Sequence, residues 1–327
     1  MGLRLVVAVH DPPVWTIPAA EVARIAAALP DVHVIDTRDA VARLAHFPEA
    51  DVLLATRMTA DEAARAERLR WIHSTAVGVG GLLQPAIVER PIAVTNSRGT
   101  HGEAIAEHAI ALALALRRRL HLALARQAER RWAQDEISQA RVPILSRSRL
   151  LVVGLGGIGA PVAALGAGLG MRVEGIRRRL DRPVPPGVSR VRPMSELLEA
   201  LAEADIVILA LPGTRETRAL LGARELQAMP RGAILVNVAR GRLVDDDALA
   251  AALASGHLGG AGMDAFDREP VPPEHPVWRF ANVIITPHTA AFAGDYWRPA
   301  VDLFLENFAR FRRGEPLLNV VDKAHGY

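Results

Sequence analysis

The chain has 327 residues, half of them hydrophobic, and this length and apolar content suggest two domains with sizeable cores. It contains no cysteine, which excludes disulfides, thiolate metal sites and cysteine nucleophiles. Its 39 basic and 36 acidic residues leave a net charge of +3, which is not the strongly basic balance of a nucleic-acid-binding protein.

The first third of the chain alternates apolar runs of strand length with Ala- and Leu-rich runs of helical length. The predicted strands here are Leu3–Val9, Val32–Ile35, Val52–Ala55 and Trp71–Ser74. The predicted helices are Pro18–Leu29, Thr59–Leu69 and one long helix from about His101 to Gln127. The N-terminal apolar run is too short for a signal peptide, and no helical apolar run could cross a bilayer. A soluble, cytoplasmic protein that does not act at a membrane is therefore expected.

A second series of strands and helices follows the long helix. Its predicted strands are Leu150–Val153, Met171–Ile176, Ile206–Leu209, Ala233–Val238, Ala261–Met263 and Val283–Thr286. This alternation predicts an α/β protein with parallel sheets and helices on both faces. Ligands of such sheets bind at the carboxyl ends of the strands, so the residues just after each strand are the candidates for function.

A glycine-rich turn follows the first strand of this second series. Gly154, Gly156, Gly157, Ile158 and Gly159 span a G-x-G-x-x-G pattern between an apolar strand and a helical stretch. In this context the glycines allow a tight turn, a close approach of the backbone to a pyrophosphate, and close packing of helix on strand. The helix N-terminus adds N–H groups and a positive dipole for an anion. The pattern predicts dinucleotide binding; the alternative is a plain Gly-rich turn.

Arginines occupy the place where an NAD site usually has an acid. Such an acid holds the ribose 2′-OH from the end of the second strand. Here Arg177, Arg178 and Arg179 follow that strand, and Glu174 lies too early within it. A guanidinium would bind a 2′-phosphate that a carboxylate would repel. The pattern favours NADP, with NAD possible; the alternative is a solvated basic turn.

Residues 204–288 resemble the D-isomer-specific 2-hydroxyacid dehydrogenases, through ordered motifs that include "NVARG", "DREP" and "TPH". The resemblance covers essentially the whole chain and is weaker over the N-terminal third. It implies two doubly wound parallel-sheet domains, a Rossmann coenzyme domain and a flavodoxin-like substrate domain. The implied substrate domain is 1–98 plus 292–327, and the dinucleotide-binding domain is 99–291, with hinges near 96–99 and 290–294.

Three side chains in these motifs can perform carbonyl reduction. The guanidinium of Arg240 can hold the carboxylate and polarise the carbonyl of a 2-oxoacid. The imidazole of His288 can protonate the carbonyl oxygen as hydride reaches carbon. Glu269 can pair with the other imidazole nitrogen and stabilise the imidazolium. The resemblance assigns these three as catalytic; taken singly, Arg240 could be a surface base, Glu269 a turn acid, and His288 a turn or capping residue.

The resemblance also implies binding residues. Val77 and Gly78 lie in a Gly-rich turn whose N–H groups can bind the substrate carboxylate. Asp264 matches an aspartate that contacts the nicotinamide amide, although a buried acid satisfied by backbone groups would have the same pattern. Leu211 and Pro212 follow another strand and are expected to line the cofactor cleft. No set of His, Asp and Glu residues combines ligand spacing with a shared predicted location, so no metal site is predicted.

The expected function is the reduction of a small 2-oxoacid of the glyoxylate/hydroxypyruvate type to a D-2-hydroxyacid by NADPH. A phosphoglycerate dehydrogenase-like enzyme is a second possibility, weakened because the sequence ends at Tyr327 without room for an extra regulatory domain. A dinucleotide-sensing, corepressor-like binding protein is a third. The family is usually homodimeric, and the long helix with "RRWAQDEI" after it is the expected contact.

The segment after His288 leaves two interpretations open. Tyr296, Trp297 and Arg298 could form a wall of the substrate pocket that selects the substrate side chain. Alternatively, Trp297 anchors a C-terminal helix on a core, as the helical spacing of the apolar residues from 301 to 311 indicates.

Overall fold

The structure is a computed structural model that describes residues 2–11, 15–38, 40–139 and 142–326. Its internal contacts divide the chain into two compact units, residues 1–100 with 293–327 and residues 101–292. Among the described residues, no helix is long and apolar enough to cross a membrane.

Strands and helices alternate in both units. Within the described residues the strands, in chain order, are β1 (Arg4–Ala8), β2 (His10–Asp11), β3 (Trp15–Thr16), β4 (His33–Asp36), β5 (Val52–Ala55), β6 (Trp71–Ser74), β7 (Ala93–Asn96), β8 (Arg149–Val153), β9 (Arg172–Ile176), β10 (Val188–Arg192), β11 (Ile206–Leu209), β12 (Ile234–Asn237), β13 (Gly260–Met263) and β14 (Val283–Ile285). The helices are α1 (Ala19–Ala28), α2 (Ala40–His46), α3 (Ala60–Arg65), α4 (Pro85–Val88), α5 (Gly102–Arg117), α6 (Leu120–Ala128), α7 (Gln134–Gln139), α8 (Gly159–Gly168), α9 (Leu197–Ala202), α10 (Ala223–Ala228), α11 (Asp246–Ala254) and α12 (Trp297–Arg313).

The sheet of the first unit has the strand order β4-β1-β5-β6-β7, and all its neighbouring strands are parallel. Numbered within this sheet, the order is 2-1-3-4-5, the flavodoxin-like arrangement. Successive residues of β1 face opposite sides: Val6 packs in the core beneath α3 and α4, and Val7 packs in the core beneath α1 and α12. Burial on both faces explains why these strands are nearly continuous apolar runs.

The sheet of the second unit has the strand order β10-β9-β8-β11-β12-β13-β14, again entirely parallel. Numbered within the sheet, the order is 3-2-1-4-5-6 followed by a seventh strand, which is the Rossmann arrangement. Hydrophobic cores lie on both of its faces. The two sheets confirm the predicted fold class. Because the strands are parallel, the turns after β8, β9, β11, β12, β13 and β14 lie at one edge of the sheet.

The prediction of a single long helix from His101 to Gln127 is wrong. Helix α5 ends at Arg117, Arg119 adopts a left-handed φ of 58°, and α6 begins at Leu120. The reason is a change of surroundings: α5 buries a face on the second sheet, whereas α6 has no buried residue. No continuous apolar stripe therefore holds the two helices in line, and Arg117 fixes the end of α5 by donating to Ser148 Oγ at 2.7 Å.

The sequence pattern does not predict β7, β10 or the antiparallel β2–β3 pair. Strand β10 reads "VSRVR" and pairs with β9 at the edge of its sheet, where Ser189 and Arg190 are exposed. Strands at such edges carry charged residues, which interrupt the apolar pattern by which a strand is recognised in the sequence. Strand β7 has only four residues and is bounded by polar turns, so its alternation is too short to be distinctive.

Helix α12 packs on the first sheet. Its buried residues include Val301, Phe304 and Phe308, and the ring of Phe304 stacks on Trp71 at 5.4 Å between centroids. Trp297, the first residue of this helix, is half-buried and packs against the same core. This packing favours the helix-anchor interpretation of Trp297 over the pocket-wall interpretation.

A buried polar network crosses the first sheet at His73. The imidazole Nδ1 lies 2.7 Å from Thr95 Oγ1 and Nε2 lies 3.3 Å from Ser97 Oγ, while Trp71 Nε1 donates to the same Thr95 hydroxyl at 2.8 Å. Complete burial lowers the pKa of His73 to about 3. The imidazole is therefore neutral in the folded protein near neutral pH.

This neutral histidine predicts an acid-sensitive stability. In the unfolded chain His73 takes up a proton below its ordinary pKa of 6.5, and in the folded chain it does so only near 3. The contribution of neutral His73 to the free energy of unfolding is thus complete above pH 6.5. As the pH falls toward 3, that contribution is lost by about 1.4 kcal/mol per pH unit. Urea unfolding between about pH 6 and pH 4 should show a shallower fall in the free energy of unfolding for His73→Gln than for the wild type. Parallel profiles would contradict the assignment.

Candidate active site

Glu269 and His288 form a hydrogen-bonded pair at the carboxyl edge of the second sheet. His288 Nδ1 lies 2.7 Å from Glu269 Oε2, and Glu269 Oε1 accepts from Phe266 N at 2.8 Å. Both partners are about two-fifths exposed, with side-chain exposures of 40% for His288 and 36% for Glu269. Because Nδ1 is bonded to the carboxylate, a proton donated to a substrate would come from Nε2.

The hydrogen bonds of Glu269 keep it charged. Burial alone would raise the pKa of Glu269, but the hydrogen bonds from His288 and from Phe266 N, together with nearby positive charge, lower it below its ordinary value. A carboxylate in this position orients the imidazole ring through its Nδ1. The pair has the geometry of a general acid with its orienting base.

Arg240 enters the same cleft from the turn after β12. Its Nη1 donates to Ala239 O at 2.7 Å, and the Asn237 side chain holds the turn by donating to Arg240 O at 2.9 Å and accepting from Ala239 N at 3.0 Å. Burial lowers the pKa of Arg240, and the charge of Glu269 opposes that shift. A guanidinium does not lose its proton in proteins, so a half-buried positive charge lines the same cleft as the acid–base pair.

Arg240, Glu269 and His288 line one cleft of about 290 Å³. Its other lining residues are Gly241, Arg242, Phe266 and Asp267. Gly241 permits this arrangement because a Cβ there would collide with the backbone of Phe266 and Asp267. The cleft thus brings together a cation, a proton donor and a carboxylate, which suits the binding and reduction of a small acidic carbonyl compound.

Asp264 directly follows β13 and is 2% exposed. Its carboxylate accepts hydrogen bonds from Thr286 Oγ1 at 2.6 Å, from Thr289 N at 2.9 Å and from Ala290 N at 3.1 Å. These donors flank His288, which has a left-handed φ of 55°. These contacts match the alternative interpretation, in which Asp264 is a buried acid whose hydrogen bonds come from neighbouring protein groups. A carboxylate has about four acceptor positions, so three bonds leave capacity for one more donor.

The glycine-rich loop after β8 fits the pyrophosphate of a dinucleotide. Gly154 has a φ of 101°, and a Cβ at Gly159 would collide with Gly154 O, so both positions require glycine. A Cβ at Gly156 would meet nothing within 4 Å, which leaves the backbone open to a ligand. Helix α8 begins at Gly159, directly after Gly157 and Ile158, and presents its N-terminus at this opening.

Arg177 follows β9, and its guanidinium donates to backbone carbonyls of its own loop. Nη1 donates to Pro183 O at 2.9 Å, and Nη2 donates to Arg182 O. The side chain thereby closes the loop from 177 to 183. The bonds are local, so Arg177 shapes the turn in which a ribose-binding acid would otherwise stand.

The neighbouring charges complete this region. Arg178 is 57% exposed, with Nη1 3.8 Å from Glu216 Oε2, and Arg179 is also exposed. Glu174 is paired with Arg192, whose Nε lies 2.9 Å from Glu174 Oε2. The Glu174 carboxylate is thus paired with an arginine of β10, and it lies within β9 and not at the strand end where a ribose-binding acid would stand.

The remaining predicted residues lie in separate places. Leu211 is buried in a core of the second unit, so any ligand contact would come through its backbone, whereas Pro212 is exposed. Val77 and Gly78 belong to the first unit, in the turn after β6. Asn96 Nδ2 donates to Val77 O at 2.8 Å and so holds the carbonyl side of that turn.

Two residues that build the site lie in the quoted motifs, at the start of "NVARG" and of "TPH", but no role was predicted for them. Asn237 fixes the Arg240 turn, and Thr286 donates to Asp264. Asn237 ends the observed strand β12 and Thr286 ends a predicted strand, and their place in these motifs is the signal that could have pointed to them. Their partners lie on neighbouring strands, so only the sheet order shows what they hold.

Comparison with known proteins identifies the family. Residues 110–290 match the model for the NAD binding domain of D-isomer-specific 2-hydroxyacid dehydrogenases. The chain is 37% identical to a glyoxylate reductase of Korarchaeum cryptofilum, across 83% of this chain and 81% of that protein. It is 32% identical to a D-3-phosphoglycerate dehydrogenase of Methanocaldococcus jannaschii, across 85% of this chain but only 53% of that longer protein.

A solved structure agrees over the full length. The D-isomer-specific 2-hydroxyacid dehydrogenase of Xanthobacter autotrophicus, crystallised with NADPH and MES, is 31% identical, with all of both chains covered and a TM-score of 0.86. This likeness and the family match confirm the resemblance drawn from the sequence motifs. The chain therefore belongs to the D-isomer-specific 2-hydroxyacid dehydrogenases and is an enzyme that uses a nicotinamide dinucleotide.

Proposed function

We propose that the protein reduces a small 2-oxoacid of the glyoxylate/hydroxypyruvate type to the D-2-hydroxyacid, with NADPH as the preferred cofactor. The observation that carries this proposal is the cleft in which the Glu269–His288 pair faces Arg240. The name of the Korarchaeum relative, a glyoxylate reductase, supports the choice of a small substrate.

Each residue has a distinct part in this reaction. Arg240 binds the carboxylate and polarises the carbonyl oxygen of the substrate, and His288 donates a proton from Nε2 to that oxygen. Glu269 orients the ring through Nδ1. Val77 and Gly78 supply backbone N–H groups to the carboxylate. The dinucleotide, when bound, supplies the hydride.

The same proposal assigns the cofactor residues. Gly154, Gly156, Gly157, Ile158 and Gly159 hold the pyrophosphate. Leu211, Pro212 and Asp264 lie along the nicotinamide side. We assign residues 99–291 to the dinucleotide-binding domain, and 1–98 with 292–327 to the substrate domain.

The preference for NADPH is proposed from the arginines after β9. No acid stands at the strand end to repel a 2′-phosphate, and Arg177 shapes the loop while Arg178 offers an exposed guanidinium. The Xanthobacter structure contains NADPH, which supports this choice.

We therefore expect kcat/KM to be higher with NADPH than with NADH. Arg178→Ala should weaken NADPH with little effect on NADH, because it removes a phosphate contact only. Arg177→Asp should lower the affinity for NADPH further and raise that for NADH, because the new carboxylate repels a 2′-phosphate and can accept a hydrogen bond from the ribose 2′-OH. Arg190→Ala, on the exposed edge strand, is the matched control and should leave the ratio unchanged. Equal kcat/KM for both cofactors in the wild type would contradict the preference.

A panel of 2-oxoacids tests the substrate proposal. Initial rates of NADPH oxidation with glyoxylate, hydroxypyruvate, pyruvate, 2-oxobutyrate and 3-phosphohydroxypyruvate should be highest for the first two. The likeness to a phosphoglycerate dehydrogenase makes the phosphorylated compound the main competitor, and its dominance would replace our proposal with that activity. Tight NADPH binding with negligible turnover on every compound would instead indicate a dinucleotide sensor.

We also propose a homodimer formed through helices α5 to α7. In this region Leu124 is 63% and Trp132 is 89% exposed, and α6 has no buried residue. Helices with so little burial gain stability from a partner.

Light scattering of the purified protein should give twice the chain mass. Leu124→Glu should shift it toward the monomer, whereas Leu180→Glu, at a comparably exposed leucine elsewhere, should not. A wild-type monomer at micromolar concentration would contradict the proposal.

A further inference from the structure

His108, at the middle of α5, is linked by hydrogen bonds to the loop that carries His288. The helix runs from Gly102 to Arg117 and packs on the second sheet, with the His108 side chain 24% exposed. Its Nε2 lies 3.0 Å from Thr286 Oγ1, across 178 residues of sequence. Thr286 directly follows β14 and comes two residues before His288.

The single proton of the Thr286 hydroxyl fixes the direction of these hydrogen bonds. The Thr286 hydroxyl has one proton, and it lies 2.6 Å from Asp264 Oδ1, a carboxylate oxygen that accepts. That proton is therefore committed to Asp264. The Thr286 oxygen must then accept from His108, which requires a proton on His108 Nε2. The chain of donors runs from His108 to Thr286 to Asp264.

Asp264 holds the chain on both sides of His288 by hydrogen bonds. Its oxygens also accept from Thr289 N at 2.9 Å and from Ala290 N at 3.1 Å. The turn is tightened further because His288 N donates to Thr286 O at 3.0 Å. Between these bonds His288 adopts a left-handed φ of 55°, which for a non-glycine residue requires support from its surroundings.

We propose that His108 is a positioning residue for the reaction: by donating to Thr286 it fixes the hydroxyl on Asp264, and so fixes the turn that presents His288 to Glu269 and the substrate. This rests on the proposed function of His288 as the proton donor. It assigns a role to a helix residue that does not line the catalytic cleft. Cofactor binding at the glycine-rich loop does not depend on it.

The chain offers a matched control at His121. That histidine lines the same apolar groove beside β14 as His108 does, but its Nδ1 lies 3.5 Å from Ala115 O, a carbonyl of α5. Replacing either histidine with leucine makes the same chemical change in the groove. Only the change at His108 breaks the link to Thr286.

The test compares steady-state kinetics of His108→Leu, His108→Gln and His121→Leu with the wild type, using NADPH and hydroxypyruvate. His108→Leu should lower kcat by at least about tenfold, because a displaced acid loses its reactive geometry, with the KM for hydroxypyruvate nearly unchanged. His108→Gln should restore most of kcat, since its amide N–H can reach the Thr286 hydroxyl. His121→Leu should match the wild type.

A double variant adds a second readout. Thr286→Val removes the acceptor, so His108→Leu should cause no further loss of kcat in the Thr286→Val background. Additive losses, equal losses for the Leu and Gln variants, or wild-type kcat in His108→Leu would each overturn the proposal. An inactive wild type would instead overturn the proposed function itself, so the two failures are distinguishable.

Discussion

Replacing His288 with alanine is expected to lower kcat for 2-oxoacid reduction by about 10²–10⁴-fold, the usual contribution of a general acid. The loss follows because the imidazole held by Glu269 at 2.7 Å supplies the proton for the carbonyl oxygen. NADPH affinity should be retained, since the glycine-rich loop is a separate part of the second unit. Stopped-flow single turnovers and fluorescence titration of NADPH measure the two quantities independently.

Two further variants separate chemistry from folding. His288 has a φ of 55°, where alanine is strained but asparagine is tolerated, so His288→Asn should fold normally and still lose the proton transfer. Glu269→Gln keeps a hydrogen-bonding group but not the charge, and should cause an intermediate loss. Wild-type turnover in a folded His288→Asn protein would exclude His288 as the acid.

Arg240→Lys is expected to lower kcat/KM for the 2-oxoacid by roughly 10²–10³-fold, a loss like that seen when one preorganised donor is removed from an oxyanion site. The guanidinium offers a planar fork for a carboxylate and its neighbouring carbonyl, and an ammonium cannot reproduce two parallel bonds. The change keeps the positive charge, so the loss measures geometry. Initial rates over a range of substrate concentrations give the value.

Arg242→Lys provides the comparison within the same cleft. Arg242 is 51% exposed and lies 3.5 Å from Asp267, so its contacts are loose and water can replace them. Its substitution should cost much less than that of Arg240. Equal losses at the two positions would show that the cleft needs positive charge and not the placement of Arg240.

The sequence is enough to predict the fold because both sheets are buried on two faces. Strands such as Val52–Ala55 and Ile206–Leu209 are continuous apolar runs, and the structure has them with the same bounds. The long helix fails for the opposite reason. Its second half has no buried residue, so nothing in its periodicity marks the break at Arg119.

The site shows a similar division. Arg240, Glu269 and His288 stand after successive strands, and parallel pairing brings their turns to one edge of the sheet. What Asp264 holds could not be deduced, because its donors come from the next strand's turn. The local bonds of Arg177 likewise depend on the path of a loop that has no periodic pattern.

The most direct test of the central claim is the identity of the product formed by the wild-type protein from hydroxypyruvate and NADPH. Chiral chromatography after complete oxidation of the cofactor should show one equivalent of D-glycerate for each NADPH consumed. His288→Asn under the same conditions should form far less. Formation of L-glycerate, or consumption of NADPH without glycerate, would contradict the account.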